Sequence, residues 1–225
     1  MNLGVIIPTR GDRPKMLDHA FAMLSRQTIM ADRVFLIDDP PRSPEIDVGW
    51  RYRLGLERAK NAGMTHVTIW EDDDWYRENY LEKARDLAID GGLSGFCDTW
   101  FYHLETLRTW HLTHPRQCSG HAMTLAVEPF LSKYPWPEQG REPKSVDARI
   151  SKWCLREGVP TNLLHCYDPL VISMKGHNSG MRVGNWHRKD WDKWNGSDPG
   201  MVWLRSQIKN DDDFEFYRRI HERVS

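Results

Sequence analysis

The sequence predicts an α/β protein in which a mainly parallel sheet, flanked by helices, is followed by a half of mixed strands and loops. Strand-like and helix-like segments alternate over residues 1–90, which is typical of a parallel sheet covered on both faces. Beyond Gly91 the segments are shorter and polar residues alternate with apolar ones, which favours half-buried strands. The chain has 225 residues, so we expect a single domain over 1–225, with halves at 1–90 and 91–225.

The chain opens with a predicted strand and helix. "LGVII" has the apolar run of a buried strand, and Pro8 stops it. Pro14 suits the first turn of a helix, because its missing N–H has no partner there in any case. Leu17, Phe21 and Leu24 follow at helical spacing and predict the face that packs on the sheet.

Two more strands complete the first half. "RVFLI" predicts a second buried strand, and "GWRYRLGLERAKNAG" predicts a helix with Gly63 as its C-cap. "HVTIW" predicts the third strand. Leu81, Ala84 and Ala88 then mark another helix. This order of elements is the basis for the parallel sheet.

The second half is predicted to mix strands, loops and two helices. "GFCDTWFYHL" and "TLRTWHLTH" alternate like a hairpin, and "SVDARISKWCLREG" predicts a helix that ends before Gly158. The stretch from His177 to Gly200 is rich in Gly, Asn, Asp and Trp and predicts loops. A charged helix over roughly 212–223 is expected to form a C-terminal extension.

The composition excludes few classes of function, but it indicates the environment in which the protein is expected to act. A formal net charge of −1 gives no overall bias toward nucleic acid or membrane. The four cysteines form no CxxC pair, so we interpret them as reduced thiols. No apolar stretch reaches bilayer-spanning length and no leader peptide is recognisable, which predicts a soluble, cytoplasmic protein.

Four consecutive acidic residues, Glu71 to Asp74, follow the third strand. Ligands of open α/β sheets bind at the carboxyl ends of the strands, which is where this run lies. Clustered carboxylates there suit Mg²⁺ or Mn²⁺ bound together with substrate phosphates. The alternative is a solvated acidic turn that caps the next helix.

Several segments together resemble a known family. "VIIPTRGDRPKMLDHAFAMLSRQT", "RVFLIDD" and "IWEDDDWYRENYLEKA" resemble, in that order, the opening helix, the second strand and the metal-binding acidic motif of GT-A family-2 glycosyltransferases. The resemblance implies a GT-A type, Rossmann-like fold. It also implies a nucleotide-sugar donor, a UDP-sugar before others, and transfer with inversion, dependent on Mn²⁺ or Mg²⁺.

The resemblance implies roles for residues in the first half. Asp73 matches the direct metal ligand and Asp72 lies toward the ribose, while a register with Glu71 and Asp73 as the outer pair leaves that ligand unchanged. Asp74 is expected near the metal and donor sugar, or at the helix cap. The other residues implied to bind the nucleotide sugar are Pro8, Thr9, Arg10, Arg13, and Asp38 or Asp39. Asp39 could instead only end the strand.

One position departs from the family and leaves the nucleotide open. Many members carry Arg-Asn two positions before the glycine that matches Gly55, where this chain has Tyr52 and Arg53. The base pocket is therefore expected to differ.

The catalytic base and the diphosphate contacts are implied by the second half. "EPKSVDARISKWCLREG" matches the region that carries an acidic pair, with Val146 in place of the first acid and Asp147 left as the base. The alternative for Asp147 is an ordinary first-turn aspartate. In "ISMKGHNSG", Lys175 is expected at the diphosphate and His177 at the metal, although a structural role for His177 is nearly as well supported.

The remaining histidines of this half are interpreted as structural. They alternate along the predicted strands or lie close to them, and some of them should face solvent. They are His103, His111, His114 and His121.

The acceptor is the least determined feature. "HNSGMRVGNWHRKDWDKWNG" interleaves cationic side chains with tryptophan, which suits a nucleic acid and suits a sugar equally. A small transferase of this kind resembles phage-encoded enzymes that modify hydroxymethylated pyrimidines in DNA, and the alternative acceptors are surface polysaccharides and lipid-linked sugars. The residues predicted to bind the acceptor are Trp186, Arg188, Lys189 and Trp191.

The sequence is less consistent with two other functions than with a transferase. A sugar nucleotidyltransferase should carry a glycine-rich loop after the first strand, and "PTRGDRPK" has one glycine. A non-catalytic module that binds nucleotide sugars would not need an intact acidic run together with Asp147. We therefore favour the glycosyltransferase.

Overall fold

A computed structural model describes residues 1–40, 47–137, 145–177 and 188–225. The strands in these ranges are β1 (Leu3–Pro8), β2 (Arg33–Ile37), β3 (His66–Ile69), β4 (Trp75–Tyr76), β5 (Leu93–Phe96), β6 (Asp98–His103), β7 (Arg108–Thr113), β8 (Met123–Ala126), β9 (Thr161–Leu164), β10 (Val171–Lys175) and β11 (Gly196–Ser197). The helices are α1 (Pro14–Ser25), α2 (Val48–Asn61), α3 (Tyr80–Leu87), α4 (Val127–Ser132), α5 (Val146–Glu157), α6 (Val202–Gln207) and α7 (Asp211–Val224).

The first sheet has six strands in the order β2-β1-β3-β8-β5-β9. β1 pairs in parallel with both β2 and β3, as predicted, and β8 then enters antiparallel between β3 and β5. Val5 and Ile7 face one hydrophobic cluster and Ile6 faces the other, so the sheet is covered on both sides. This arrangement confirms the predicted fold class and places the carboxyl ends of β1, β2 and β3 at one edge.

The prediction that β2 is a buried strand was wrong. Only Ile37 is fully buried, and Val34 is 42% exposed. The apolar run "RVFLI" lies at the edge of the sheet, where β1 is its partner and one strand flank has no neighbouring strand among the described residues. An apolar run by itself does not distinguish a central strand from an edge strand.

α1 begins at Pro14 as predicted, but its buried face differs from the predicted one. Met16, Ala20, Met23 and Leu24 are buried, whereas Phe21 is 39% exposed. The helix is turned so that its methionines pack toward α7 and the second sheet. Its apolar residues surround more than half of its circumference, so spacing alone could not fix the rotation.

The second sheet has five strands in the order β11-β7-β6-β10-β4. β6 and β7 form the predicted antiparallel hairpin. β10 runs parallel to β6 and antiparallel to the two-residue strand β4, which directly follows the acidic run. This last pairing carries the end of β10 to the acidic residues.

The predicted helices of the second half are present. α5 buries Val146, Ile150, Trp153 and Cys154 and ends at Gly158, which has a left-handed backbone conformation. α7 closes the chain within one residue of its predicted start and end. None of the helices in the described ranges has the length and apolar character needed to cross a membrane.

Gly55 sets how closely α2 approaches the sheet. A Cβ atom on Gly55 would lie 2.7 to 2.9 Å from three side-chain atoms of Ile6. Gly55→Ala should therefore lower the free energy of unfolding by about 1–3 kcal/mol, as other overpacked cores do. Denaturant unfolding of Gly55→Ala, Ile6→Ala and the double variant measures this.

The double variant is the decisive one, because Ile6→Ala removes all three contacted atoms. It should cost less than the sum of the two single changes. Strict additivity would contradict a steric conflict between these two residues.

Candidate active site

The acidic residues occupy the loop between β3 and β4 and are withdrawn from solvent. Asp72, Asp73 and Asp74 are 2%, 5% and 0% exposed. α3 begins only at Tyr80, with Asn79 at its N-cap position. The alternative of a solvated turn that caps the next helix, with Asp74 in the capping role, was therefore wrong.

β1 brings a threonine and an arginine to this loop. Thr9 donates a hydrogen bond of 2.6 Å from its hydroxyl to Asp72 Oδ2. Arg13 spans the loop: Nη2 lies 2.6 Å from Asp72 Oδ1, and Nη1 contacts Asp73 Oδ2. Two of the predicted donor-binding residues are thus joined to the acidic run, because β1 and β3 are adjacent parallel strands.

β10 supplies the partners of Asp74. Ile172 pairs with Trp75 across β10 and β4, so the next residues of β10 lie against Asp74. Asp74 Oδ1 accepts from the Ser173 hydroxyl at 3.1 Å and from the Met174 N–H at 2.9 Å, and Lys175 Nζ lies 3.4 Å away. Lys175 thus lies at the acidic run, and its predicted contact with the diphosphate stays a prediction.

Two histidines complete the surroundings of the loop. His177 Nε2 lies 3.1 Å from Asp73 Oδ2, beside Arg13. His121, in the short 3₁₀ helix that precedes β8, has its Nδ1 3.0 Å from Asp74 Oδ2. The sequence had suggested a metal role for His177 but only a structural one for His121.

Glu71 is the first acidic residue of the loop and forms a second group of side chains with Asp74 and His121. The Tyr52 hydroxyl donates to Glu71 Oε1 at 3.4 Å, so the unusual residue of α2 reaches the acidic run. Glu71, Asp74 and His121 each offer a ligand atom within 4.8 Å of the others. Carboxylates and an imidazole arranged in this way can hold a metal ion.

The loop holds two carboxyl groups that resist ionisation. Burial, together with the neighbouring Asp74, raises the pKa of Glu71 to about 7. Burial also raises the pKa of Asp72 to about 6, although Arg13 opposes the shift. Both groups would be ionised more readily if a further positive charge were bound nearby.

The other two carboxyl groups are held ionised. Burial disfavours the charged form of Asp73, but Arg13 and Lys175 outweigh it and keep its pKa well below the ordinary value. The pKa of Asp74 is lowered as well, because Lys175 and the contact with His121 outweigh its burial. Ionised carboxylates and cationic side chains therefore lie next to one another in the site.

A cavity of about 490 Å³ opens beside the acidic run. Asp147, in the first turn of α5, is half-buried in its wall, and its Oδ1 accepts the Ala148 N–H at 2.8 Å. Glu71, His121 and Lys175 line the same space. The predicted base thus shares one cavity with the predicted diphosphate-binding lysine.

The predicted nucleotide-binding residues at the end of β2 are held by arginines. Arg58 bonds both carboxylate oxygens of Asp39, at 2.8 and 2.9 Å, while Asp38 is exposed. Arg51 is buried and donates to the Ile37 and Asp39 carbonyls. Asp39 therefore does more than end the strand, since it fixes α2 against it.

Arg10 and Pro8 lie on the same edge of the sheet. Arg10 Nε is 3.0 Å from Asp47 Oδ1, directly before α2. Pro8 is the last residue of β1 and is half-buried. Their predicted contact with the nucleotide stays a prediction.

The predicted acceptor residues are only partly described. Trp186 lies outside the described residues. Arg188 pairs with Asp190 and Lys189 pairs with Glu105, both at 3.1 Å on the surface. These ion pairs do not place either side chain at the cavity.

Trp191 does reach the cavity wall. Its ring packs edge-on against Trp110, with 4.9 Å between the ring centroids, and Trp110 lines the cavity together with Phe101 and Leu112. Trp110 had no assigned role in the sequence. Trp110 and Leu112 are two residues apart on β7, so the sequence indicated that they share one face of the strand. The cavity that this face lines is formed by segments that are distant in the sequence.

Comparison with known proteins gives structural relatives only. No family model and no curated protein sequence match the chain. S. aureus TarS 1–349 in complex with UDP-GlcNAc has a TM-score of 0.51 at 12% sequence identity, over 85% of this chain and 62% of that chain. The complex of TarS 1–349 with UDP has a TM-score of 0.52 at 10% identity, over 79% and 62%.

The fold is GT-A-like. A structure of S. aureus TarS that is longer than the 1–349 fragment has a TM-score of 0.52 at 10% identity, over 77% of this chain and 37% of that chain. This chain thus spans less than two thirds of the length of each of these structures. At such identities the similarity establishes the fold and leaves the activity to the residues of the site.

The raised pKa of Glu71 predicts a pH-dependent effect of Glu71→Gln in metal-free protein. Because the folded-state pKa is about 7 and the ordinary value is 4.5, the wild type should lose stability relative to the variant as the pH rises through this window. Glu71→Gln should then be the more stable protein at about pH 8 and lose that advantage at about pH 4. Denaturant unfolding with a chelator present measures the difference.

Glu78→Gln is the matched control, since Glu78 is exposed on the segment before α3. It should change stability equally little at both pH values. A Glu71→Gln variant that is less stable than the wild type at high pH would show that the charge of Glu71 is required in the free protein.

Proposed function

We propose that this protein is a metal-dependent glycosyltransferase that moves a sugar from a nucleotide-sugar donor to an acceptor hydroxyl with inversion. The observation that carries the proposal is the buried acidic run, bound by Arg13 and Lys175, whose first residue Glu71 lines one cavity together with Lys175 and Asp147. These groups match the needs of the reaction: cations for a diphosphate, carboxylates for a metal and a base for the acceptor.

The donor diphosphate is expected between the ends of β1 and β10. Arg13 and Lys175 are the cations there, and both are held in place by Asp73 and Asp74 in the free protein. Open α/β sheets bind nucleotides at this edge. The similarity to TarS structures that contain UDP and UDP-GlcNAc supports a UDP-sugar as the first donor to test.

A divalent cation fits the acidic run. Asp74 Oδ2 is buried, and its neighbour there is a neutral-or-cationic imidazole, His121 Nδ1 at 3.0 Å, which is itself a group that can bind an ion. The other two predicted ligands, Asp73 and His177, contact each other, and Asp73 also contacts Arg13. When bound, Mn²⁺ or Mg²⁺ offsets the charge that builds on the leaving diphosphate.

Asp147 is the proposed general base. Its Oδ1 is engaged by the Ala148 N–H, and the carboxylate takes the proton of the acceptor hydroxyl. The acceptor oxygen bonds to the anomeric carbon as the bond to the diphosphate breaks, and direct displacement of this kind inverts the configuration. Arg13 and Lys175 hold the departing diphosphate.

The acceptor is proposed to lie against the aromatic wall of the cavity. Phe101 and Trp110 stack with 5.1 Å between their centroids and face the space that Asp147 borders. Such a wall suits a sugar ring and also suits an extruded base, so DNA remains one hypothesis beside surface-polysaccharide and lipid-linked acceptors. The ion pairs of Arg188 and Lys189 favour neither class.

The proposal is tested by donor turnover. Purified protein is incubated with UDP-, GDP- and dTDP-sugars, with Mn²⁺, with Mg²⁺ and with a chelator, and release of the nucleoside diphosphate is followed. We expect slow, metal-dependent hydrolysis of at least one donor. If no donor is bound or hydrolysed with either metal, the proposed function is wrong.

Asp147→Asn separates donor binding from chemistry. The variant should bind the donor almost as the wild type does and lower the transfer rate by roughly 10²- to 10⁴-fold, because a general base is lost. Asp212→Asn is the matched control, since Asp212 occupies the first turn of α7 away from the cavity. Loss of donor affinity in Asp147→Asn would instead identify Asp147 as structural.

The dependence of acceptor binding on ionic strength distinguishes a DNA acceptor from a carbohydrate acceptor. With DNA as the acceptor, the double change Arg188→Ala and Lys189→Ala should weaken acceptor binding and flatten its salt dependence, because fewer counterions are released. Trp191→Ala should cost about 1–3 kcal/mol if a base stacks there. Transfer to DNA that contains hydroxymethylcytosine, measured across a salt series, provides both readouts.

Arg218→Ala is the control for surface charge, since Arg218 pairs with Glu215 and Glu222 on α7. A carbohydrate acceptor should show the loss in Trp191→Ala with hardly any effect of salt. Absence of transfer to the hydroxymethylated DNA at every salt concentration would end the DNA hypothesis.

A further inference from the structure

We propose that Glu71, Asp74 and His121 hold the divalent cation, and that Asp73 remains bound to Arg13 and His177, so that neither Asp73 nor His177 serves as a ligand. The inference rests on the proposed function and assigns the metal within that site. It replaces two of the ligands that the sequence implied, Asp73 and His177, with Glu71 and His121. The sequence gave no reason to select His121.

The ligand atoms of the three residues are already close together. They lie within 4.8 Å of one another, and His121 Nδ1 is 3.0 Å from Asp74 Oδ2. Neighbouring ligands of a Mg²⁺-sized ion, each about 2.1 Å from it, are separated by about 3 Å. The contact of 3.0 Å is a hydrogen-bonded ion pair in the free protein, and its spacing also fits two atoms that share an ion.

An unpartnered ring nitrogen in the same group indicates a ligand. His121 is only 4% exposed, and its Nε2 is buried without a hydrogen-bond partner among the described residues. Asp74 Oδ2 has the His121 ring as its partner, with Nδ1 at 3.0 Å, while Asp74 Oδ1 receives Ser173, Met174 and Lys175. A buried ring nitrogen left without a hydrogen bond is costly unless another group binds it.

On the Asp73 side of the loop, Asp73 Oδ2 already has two partners among the described residues. Asp73 Oδ2 is contacted by both the Arg13 guanidinium and His177 Nε2. An ion on that oxygen would lie beside the guanidinium charge and would be repelled by it. Asp73 therefore acts through Arg13, whose orientation toward the diphosphate it fixes.

The ligand set also has a chemical preference. Carboxylate ligands suit both Mg²⁺ and Mn²⁺, but Mg²⁺ strongly prefers oxygen ligands and retained waters. An imidazole in the set favours Mn²⁺. We expect the protein to bind Mn²⁺ more tightly than Mg²⁺ in the absence of a donor, and His121→Ala to reduce that preference.

Pulsed electron paramagnetic resonance of the Mn²⁺-loaded protein tests the assignment without relying on activity. A coordinated imidazole nitrogen gives a resolved coupling to the bound Mn²⁺. This coupling should be present in the wild type and in His177→Ala and lost in His121→Ala. Titration should show at least about tenfold weaker Mn²⁺ binding in His121→Ala, and little change in His177→Ala.

Glu71→Gln provides a second test of the ligand set in case His121→Ala does not fold. Glu71 is only partly buried at the cavity, and this change keeps its shape, yet it should also weaken Mn²⁺ binding by at least about tenfold. Loss of the nitrogen coupling in His177→Ala with retention in His121→Ala would overturn the inference. So would coupling in neither the wild type nor the variants, or unchanged Mn²⁺ affinity in both His121→Ala and Glu71→Gln.

The two proposals fail in different ways. If the donor is hydrolysed with metal but the nitrogen coupling belongs to His177, the function stands and the ligand assignment falls. If Mn²⁺ binds through His121 but no nucleotide sugar is bound or turned over, the site is a cation site of another kind and the glycosyltransferase proposal falls.

Discussion

The rest of the structure depends on the compensation of buried negative charge after β3. Carboxylates withdrawn from water are strongly destabilising unless they are paired. Asp72 and Asp73 are paired with Arg13 from the end of β1, and Asp74 with Lys175 from the end of β10. The loop therefore determines which segments of both sheets must meet, and the site is assembled as a condition of folding.

The same compensation prepares the loop for a ligand. Arg13 and Lys175 are anchored by carboxylates in the free protein, so their positive charges already face the edge where a diphosphate would bind. Glu71 and Asp72 are held with raised pKa values and so retain a capacity for further positive charge. Buried carboxyl groups that lack enough opposite charge lower the stability of the folded protein. Such a cost is common where binding or catalysis takes place.

The sequence predicted those features of the fold and site that depend on local pattern and on strand order. The adjacency of β1 and β3 follows from parallel α/β topology, so the meeting of Thr9 and Arg13 with the acidic run could be expected. The partners of Asp74 could not, since a pairing of β10 with the two-residue strand β4 brings them from about a hundred residues away. His121 likewise carries no motif of its own, and the rotation of α1 and the edge position of β2 were set by tertiary packing.

The central claim is that the charged loop binds a nucleotide diphosphate together with a metal ion. Isothermal titration of UDP, GDP and dTDP, each with Mn²⁺ and again with chelator, tests it most directly. We predict binding of at least one nucleotide with Mn²⁺ and a loss of at least about tenfold when the metal is removed, equivalent to about 1.4 kcal/mol or more. Equal affinity with and without metal, or no binding of any nucleotide, would contradict the account.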